Sequence, residues 1–180
     1  MPAPTSVTLR RMQETDIPML LAMESDPEVM RYSTGIKPAD DARRQELLAW
    51  LREPPTQLGH WAITVDDAAV GWVSLVPLLG TASIQLAYRL QRAAWGRGYA
   101  SQAAGQLCEY AWRELDLAEI VAVVWPGNQA SIRVLEKLGF AFRAHERHYG
   151  HDTAVYILAR PAADSGLSLR ASSAPAGASL

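Results

Sequence analysis

Cysteine is nearly absent: Cys108 is the only one in 180 residues. No internal disulfide can form, which suits a reducing compartment and points to the cytoplasm. No apolar run approaches the roughly 20 residues that a membrane helix needs, so no membrane partner is expected. The opening Met1-Pro2-Ala3-Pro4-Thr5 lacks a basic segment followed by an apolar one, so no signal peptide is expected either. Charge of one sign is also lacking. Seventeen Lys and Arg against nineteen Asp and Glu leave a formal net charge of -2, which argues against a surface built for nucleic acid. Internal repeats are absent. What is present is an apolar fraction of 49%, enough at this length for one core without disulfides or metals.

Large apolar residues run out near the C-terminus. Residues 161–180 are mostly Ala, Ser, Gly and Pro and bury too little to offset ordering, so a flexible tail is expected after a single domain over 1–160. Within that domain, alternation marks a first strand at 7–10. Thr15-Asp16 caps a helix with Pro18 in its first turn, and Ser25-Asp26-Pro27 starts a second, short one by the same logic. Leu47, Leu48 and Leu51 give helical spacing over 40–51, ended by Pro54-Pro55. Strands at 60–65 and 70–76 flank a turn at Asp66-Asp67-Ala68-Ala69 and should pair as a hairpin. A fourth strand covers 83–90.

The next stretch is the most regular. Ala100, Ala103, Ala104, Leu107, Ala111 and Leu115 fall on one helical face, whose small residues allow close packing on a sheet. Residues 120–125 form a continuous apolar run, as in a strand buried on both faces. Asn128 caps a helix that Gly139 stops, and strands at 140–145 and 153–158 close the domain. This order of elements gives a mixed α/β fold around one central sheet.

Two segments carry chemistry. Gly96 and Gly98 sit between the fourth strand and the long helix, where they permit backbone conformations and approaches that side chains block. The helix start turns free N–H groups into that turn and makes an anion site, with Arg92 and Arg97 close by. An isolated G-x-G is equally at home in a plain strand–helix turn. The second segment is Asn128-Gln129-Ala130-Ser131, opening a helix that ends in Lys137-Leu138-Gly139-Phe140.

Together, WGRGYASQA, then PGNQASIRVLEKLGF about thirty residues later, and SDPEVMRY upstream closely resemble the GNAT superfamily and, within it, the RimJ/RimL-like N-acetyltransferases. The likeness covers residues 7–160. It implies a single-domain fold with a mostly antiparallel mixed sheet of about seven strands, splayed between the fourth and fifth. It also implies acetyl-CoA as cosubstrate, an amine acceptor (a peptide N-terminus or a small molecule), and no metal. The family's pyrophosphate turn falls on Trp95, Gly96, Arg97, Gly98, Tyr99, Ala100 and Ser101, with Trp95 where Gln or Arg is usual. That indole is expected to pack the turn against cofactor or sheet. The strand that pairs with the pantetheine arm falls on Tyr88, Arg89 and Leu90, and Asn128 and Ser131 lie near the cofactor's sulfur.

Acetyl transfer needs a deprotonated amine, a stabilised oxyanion and a neutralised thiolate. A backbone N–H within 86–88 is the expected oxyanion donor. Ser131 is the candidate acid, because the tyrosine common in the family is replaced here by Leu135; plain helix-start bonding is the competing role. Gln85 stands where relatives often place a glutamate base and cannot accept a proton, leaving water, Glu24 or Glu28. His145, His148 and His151 span a turn at Gly150 and are not expected to form a metal site; Cys108 reads as a core residue, not a nucleophile. Trp61 and Trp112 read as packing; Trp50 and Trp72 as core residues within reach of an acceptor pocket. Two alternatives stay open: an acyl-CoA-binding sensor with weak catalysis, and transfer of a larger acyl group such as succinyl. Edge strands offer a route to a homodimer, without a direct signal for one.

Overall fold

A computed structural model describes residues 6–53 and 56–162. The tail expected over 161–180 therefore lies, from residue 163 on, outside the described residues, as does the Pro54-Pro55 stop. Seven strands form one sheet in the order β1-β2-β3-β4-β5-β7-β6. They are β1 (Thr8–Arg11), β2 (Gly59–Val65), β3 (Ala68–Pro77), β4 (Ile84–Leu90), β5 (Glu119–Val124), β6 (Ala141–His148) and β7 (His151–Ala159). The helices are α1 (Ile17–Ser25), α2 (Asp41–Leu51), α3 (Tyr99–Glu114) and α4 (Gln129–Lys137). Neighbouring strands are antiparallel except β4 and β5, which run parallel. Parallel strands need a long crossover, and α3 supplies it.

Local chemistry accounts for most boundaries. Asp66 and Asp67 both have positive φ (49° and 64°), so the β2–β3 hairpin turns on two residues where four were expected. Asp40 accepts from the Arg43 N–H at 2.8 Å and caps α2. Gly139, at φ 90°, ends α4. The second early helix does not form. The Asp26 carboxylate caps the Glu28 and Val29 N–H groups, but only turns follow as far as Thr34. Tyr32, Ser33, Thr34 and Gly35 are weak helix formers, and one capped turn cannot offset the cost of nucleation. Asp16 also departs from the expected cap. Its buried carboxylate takes two 2.7 Å bonds from Arg10 and the Gln13 N–H. Burial alone would raise its pKa, but these bonds outweigh burial and hold the carboxyl below its usual range.

The sheet is covered on both faces. On one, Ile63, Val73, Leu75 and Leu86 pack against Ala103, Ala104, Leu107 and Ala111 of α3. On the other, Ile17, Leu20, Met23 and Leu47 of α1 and α2 meet Trp50 and Trp72. His60 lies on this second face between the rings of Trp50 (4.9 Å) and Trp72 (5.3 Å). Burial pushes its pKa down to about 4.

From about pH 6.5 down to about 4, the unfolded chain binds a proton that folded His60 refuses. Stability therefore falls with pH across that window, by up to about 3 kcal/mol from this group. Thermal melts of wild type and His60→Phe should diverge, with wild type losing several degrees more between pH 7 and 4.5. Parallel pH profiles would show that His60 ionises normally in the fold.

Candidate active site

β4 and β5 share one register pair, Gln85 with Val121. Past it both strands continue, β4 to Leu90 and β5 to Val124, and a cavity of about 210 Å³ lies between them, lined by Leu86, Ala87, Tyr88, Ala122 and Val123 among others. The strand alternation of β4 divides its side chains. Gln85, Ala87 and Arg89 face the α1–α2 side. Leu86, Tyr88 and Leu90 face α3 and α4, where all three pack on the main core.

On the α4 side, the Tyr88 hydroxyl lies 2.9 Å from Ser131 Oγ and also donates to the Ser131 carbonyl at 3.2 Å. Burial pushes the Tyr88 pKa up to about 12, against a smaller lowering from the Ser131 bond. Asn128 caps α4: its Oδ1 accepts from the Ser131 N–H at 3.2 Å. The Ser131 hydroxyl is thus held by a tyrosine from β4, a partner 43 residues away that sequence spacing gave no reason to expect. Leu135 is buried against the core and borders the gap, where it offers no polar group.

A groove of about 370 Å³ runs from Trp95 and Gly96 past Leu90 and Tyr88 to Asn128 and Ser131. Gly96 (φ 72°) and Gly98 (φ 77°) adopt the left-handed conformation, and Gly98 is the residue from which α3 starts at Tyr99. Nothing lies within 4 Å of where a Cβ would stand at either glycine, so the turn is open above both. The Trp95 indole N–H donates to the Leu90 carbonyl at 2.9 Å and ties the turn to the end of β4. Arg92 and Arg97 are exposed beside it, while Tyr99 is buried and Ala100 and Ser101 half-buried. The Arg89 carbonyl points at β3, because a Cβ on Gly71 would lie 2.2 Å from it. The backbone groups of Tyr88 and Leu90 therefore face the gap, and Arg89 contributes its side chain instead.

On the other side of the gap, Gln85 is buried and its Nε2 donates to the Tyr149 hydroxyl. Tyr149 and Gly150 form the two-residue turn between β6 and β7, both with positive φ. Tyr149 stacks on Trp125 at 5.6 Å. Sequence reasoning placed the turn and missed its tyrosine, because the pairing joins residues 64 apart. Among the described residues lining this cleft there is no Asp, Glu or His. Glu24 lies elsewhere, both its oxygens bound to Arg43 at 2.7 and 2.8 Å, and Glu28 is exposed on the rim of the other groove. His148 faces His151 across the hairpin, but no three metal-capable side chains gather among the described residues. No described helix is long and apolar enough to cross a membrane.

A family model described as "Acetyltransferase (GNAT) domain" matches residues 6–141. The chain belongs to the GNAT acetyltransferase family. It is similar to the uncharacterized protein YkkB of Bacillus subtilis, with 30% identity covering 83% of this chain and 90% of YkkB. It is also similar to the uncharacterized N-acetyltransferase p20 of Bacillus licheniformis, with 29% identity covering 84% and 90%. Its fold matches that of a spermidine N-acetyltransferase from Vibrio cholerae in complex with CoA and spermine, at TM-score 0.71 and 17% identity, covering 86% of this chain and 95% of that one. As a GNAT protein it is an acyltransferase. The matched span ends at the first residue of β6, so Tyr149 lies in the part of the domain that the family pattern does not describe.

Cys108 is buried on α3, and burial pushes its thiol up to about 12. A thiol-specific reagent at pH 8 should label the native enzyme at least about a hundredfold more slowly than the unfolded chain. Comparable labelling rates would mean that α3 opens readily.

Proposed function

We propose that this enzyme moves an acetyl group from acetyl-CoA to a primary amine by direct attack within a ternary complex, as the RimJ/RimL-like motifs suggest. The observation that carries this is the Tyr88–Ser131 pair at the gap, joined by one continuous groove to the glycine turn before α3. The first helical N–H groups of α3, open above Gly96 and Gly98, suit the pyrophosphate, with Arg92 and Arg97 adding charge. The gap-facing backbone of Tyr88 and Leu90 suits the amides of the pantetheine arm. The thioester then sits beside Ser131, with a backbone N–H of residues 86–88 as oxyanion donor. Gln85 has its Nε2 engaged by Tyr149 and keeps Oε1 free to accept from the amine. Water takes the amine proton, since no carboxylate among the described residues lines the cleft. The lone cysteine supports a cytoplasmic setting.

Thiol release should rise above background for at least one member of a broad amine and peptide panel at saturating acetyl-CoA. Silence across the panel would sink the assignment. Tyr88→Phe and Ser131→Ala should each lower kcat by about 10- to 100-fold while acetyl-CoA affinity changes by less than about threefold. If acetyl-CoA binds and both variants keep every measured rate, the chain is instead a binding protein with little catalysis.

Gly98→Asn tests the phosphate turn. Asparagine tolerates positive φ, so the fold should survive, while its side chain enters the space above the turn. Calorimetry should show at least tenfold weaker CoA binding. Unchanged affinity would place the pyrophosphate elsewhere.

A further inference from the structure

The Arg89 side chain reaches the cleft from β4 and borders three hollows: the gap, the cofactor groove, and a space of about 340 Å³ beneath α1 and α2. It is largely buried, yet no carboxylate lies within 4 Å of it among the described residues. Its guanidinium donates to Ser33 Oγ at 2.5 Å and lies 5.2 Å from the Trp72 ring centre. The acid nearest in charge, Glu24, has both oxygens committed to Arg43. Burial weakens the hold of Arg89 on its proton, and the field of Glu24 opposes that only in part.

A buried cation without a counterion is costly, and a guanidinium keeps a planar fork of donors that matches a carboxylate. The same cleft holds a second unspent donor. Trp125 Nε1 is buried and has no partner among the described residues. Acidic side chains are absent from the lining. The wall of the gap therefore offers a carboxylate two donors and a positive charge, while the acids in the adjoining hollow, Glu24 and Glu46, are committed to Arg43.

We propose that the acceptor is a small amine carrying a carboxylate next to the amino group, an α-amino acid, whose carboxylate binds Arg89. This rests on the acetyltransferase assignment above and names its substrate class. Pairing with Arg89 neutralises the carboxylate that would otherwise hold the neighbouring amine protonated, which eases deprotonation in a cleft without a carboxylate base.

The test compares kcat/KM, by thiol release, for matched acceptors: phenylalanine with phenethylamine, methionine with 3-(methylthio)propylamine, and spermine as the polycation. Wild type should favour each amino acid over its decarboxylated partner by at least tenfold and should use spermine least. Arg89→Gln should bring each ratio close to one. Arg89→Lys, which keeps the charge and loses the fork, should retain a reduced preference. If Arg89→Gln does not fold, the wild-type ratios and Arg89→Lys decide. Turnover of amines with ratios at or below one, or ratios that survive Arg89→Gln, overturns the carboxylate proposal alone. Absence of turnover with every amine, peptides included, overturns the transferase assignment and this inference with it.

Discussion

The parting of β4 from β5 after the single Gln85–Val121 pair is the constraint on which the rest of the structure depends. Each strand is fully paired on its outer side, β4 with β3 and β5 with β7. On the inner side their backbone groups have no strand partner past that pair. Unpaired buried N–H and C=O groups are costly, so a gap of this kind persists only where water or an extended ligand completes the ladder. Packing on either side fixes the gap. α3 holds β3 and β4 from one face, while β7 holds β5 along its whole length. Side chains then bridge what the backbone leaves open: Tyr88 to Ser131 on one side, Gln85 to Tyr149 on the other.

Strand alternation turns this gap into a two-sided site. Successive residues of β4 point to opposite faces, so adjacent positions serve different partners. Tyr88 is committed to α4 and the groove that runs to the glycine turn, and Arg89 to the α1–α2 face. The Arg89 carbonyl crowds Gly71 of β3 so closely that no side chain fits there. A slip of one residue would exchange the tyrosine and the arginine between the two faces. The tie from Trp95 to the Leu90 carbonyl fixes the glycine turn to the same strand end, so turn, strand and hydroxyl pair keep one register.

What was legible in the sequence follows from distance along the chain. The starts of α2, α3 and α4, the glycine turn and the Asn128 cap depend on contacts within about four residues, and the sequence pattern carried them. The short helix after Ser25 failed because capping reports a beginning and says nothing about whether propagation follows. The choice of base among water, Glu24 and Glu28 was illegible for another reason. Nothing along the chain shows that Arg43, on a separate helix, takes both oxygens of Glu24. Gln85, Tyr149 and Trp125 meet only because the β6–β7 hairpin lies over the gap. Arg89 read as backbone because its neighbours form a strand; that its charge lacks a carboxylate within 4 Å among the described residues is a property of the folded cleft alone.

The Tyr88–Ser131 pair also limits how the proposed reaction can move its protons. A phenol pushed up to about 12 holds its proton far more tightly than a thiol, whose ordinary value is about 8.5. Full transfer from Tyr88 to a departing thiolate would run uphill by about 3.5 pKa units, or roughly 5 kcal/mol. The pair is therefore better suited to donating a hydrogen bond that stabilises charge on sulfur than to giving up a proton. The incoming amine carries protons enough to supply one, because its nitrogen becomes strongly acidic once it has bonded to the carbonyl carbon. That proton can pass to the sulfur through Ser131 Oγ, which both donates and accepts, while Tyr88 remains neutral throughout. On this account burial of Tyr88 has a use. It keeps the hydroxyl protonated from neutral pH up to near 12, so across that range a donor faces the sulfur when the carbon–sulfur bond breaks.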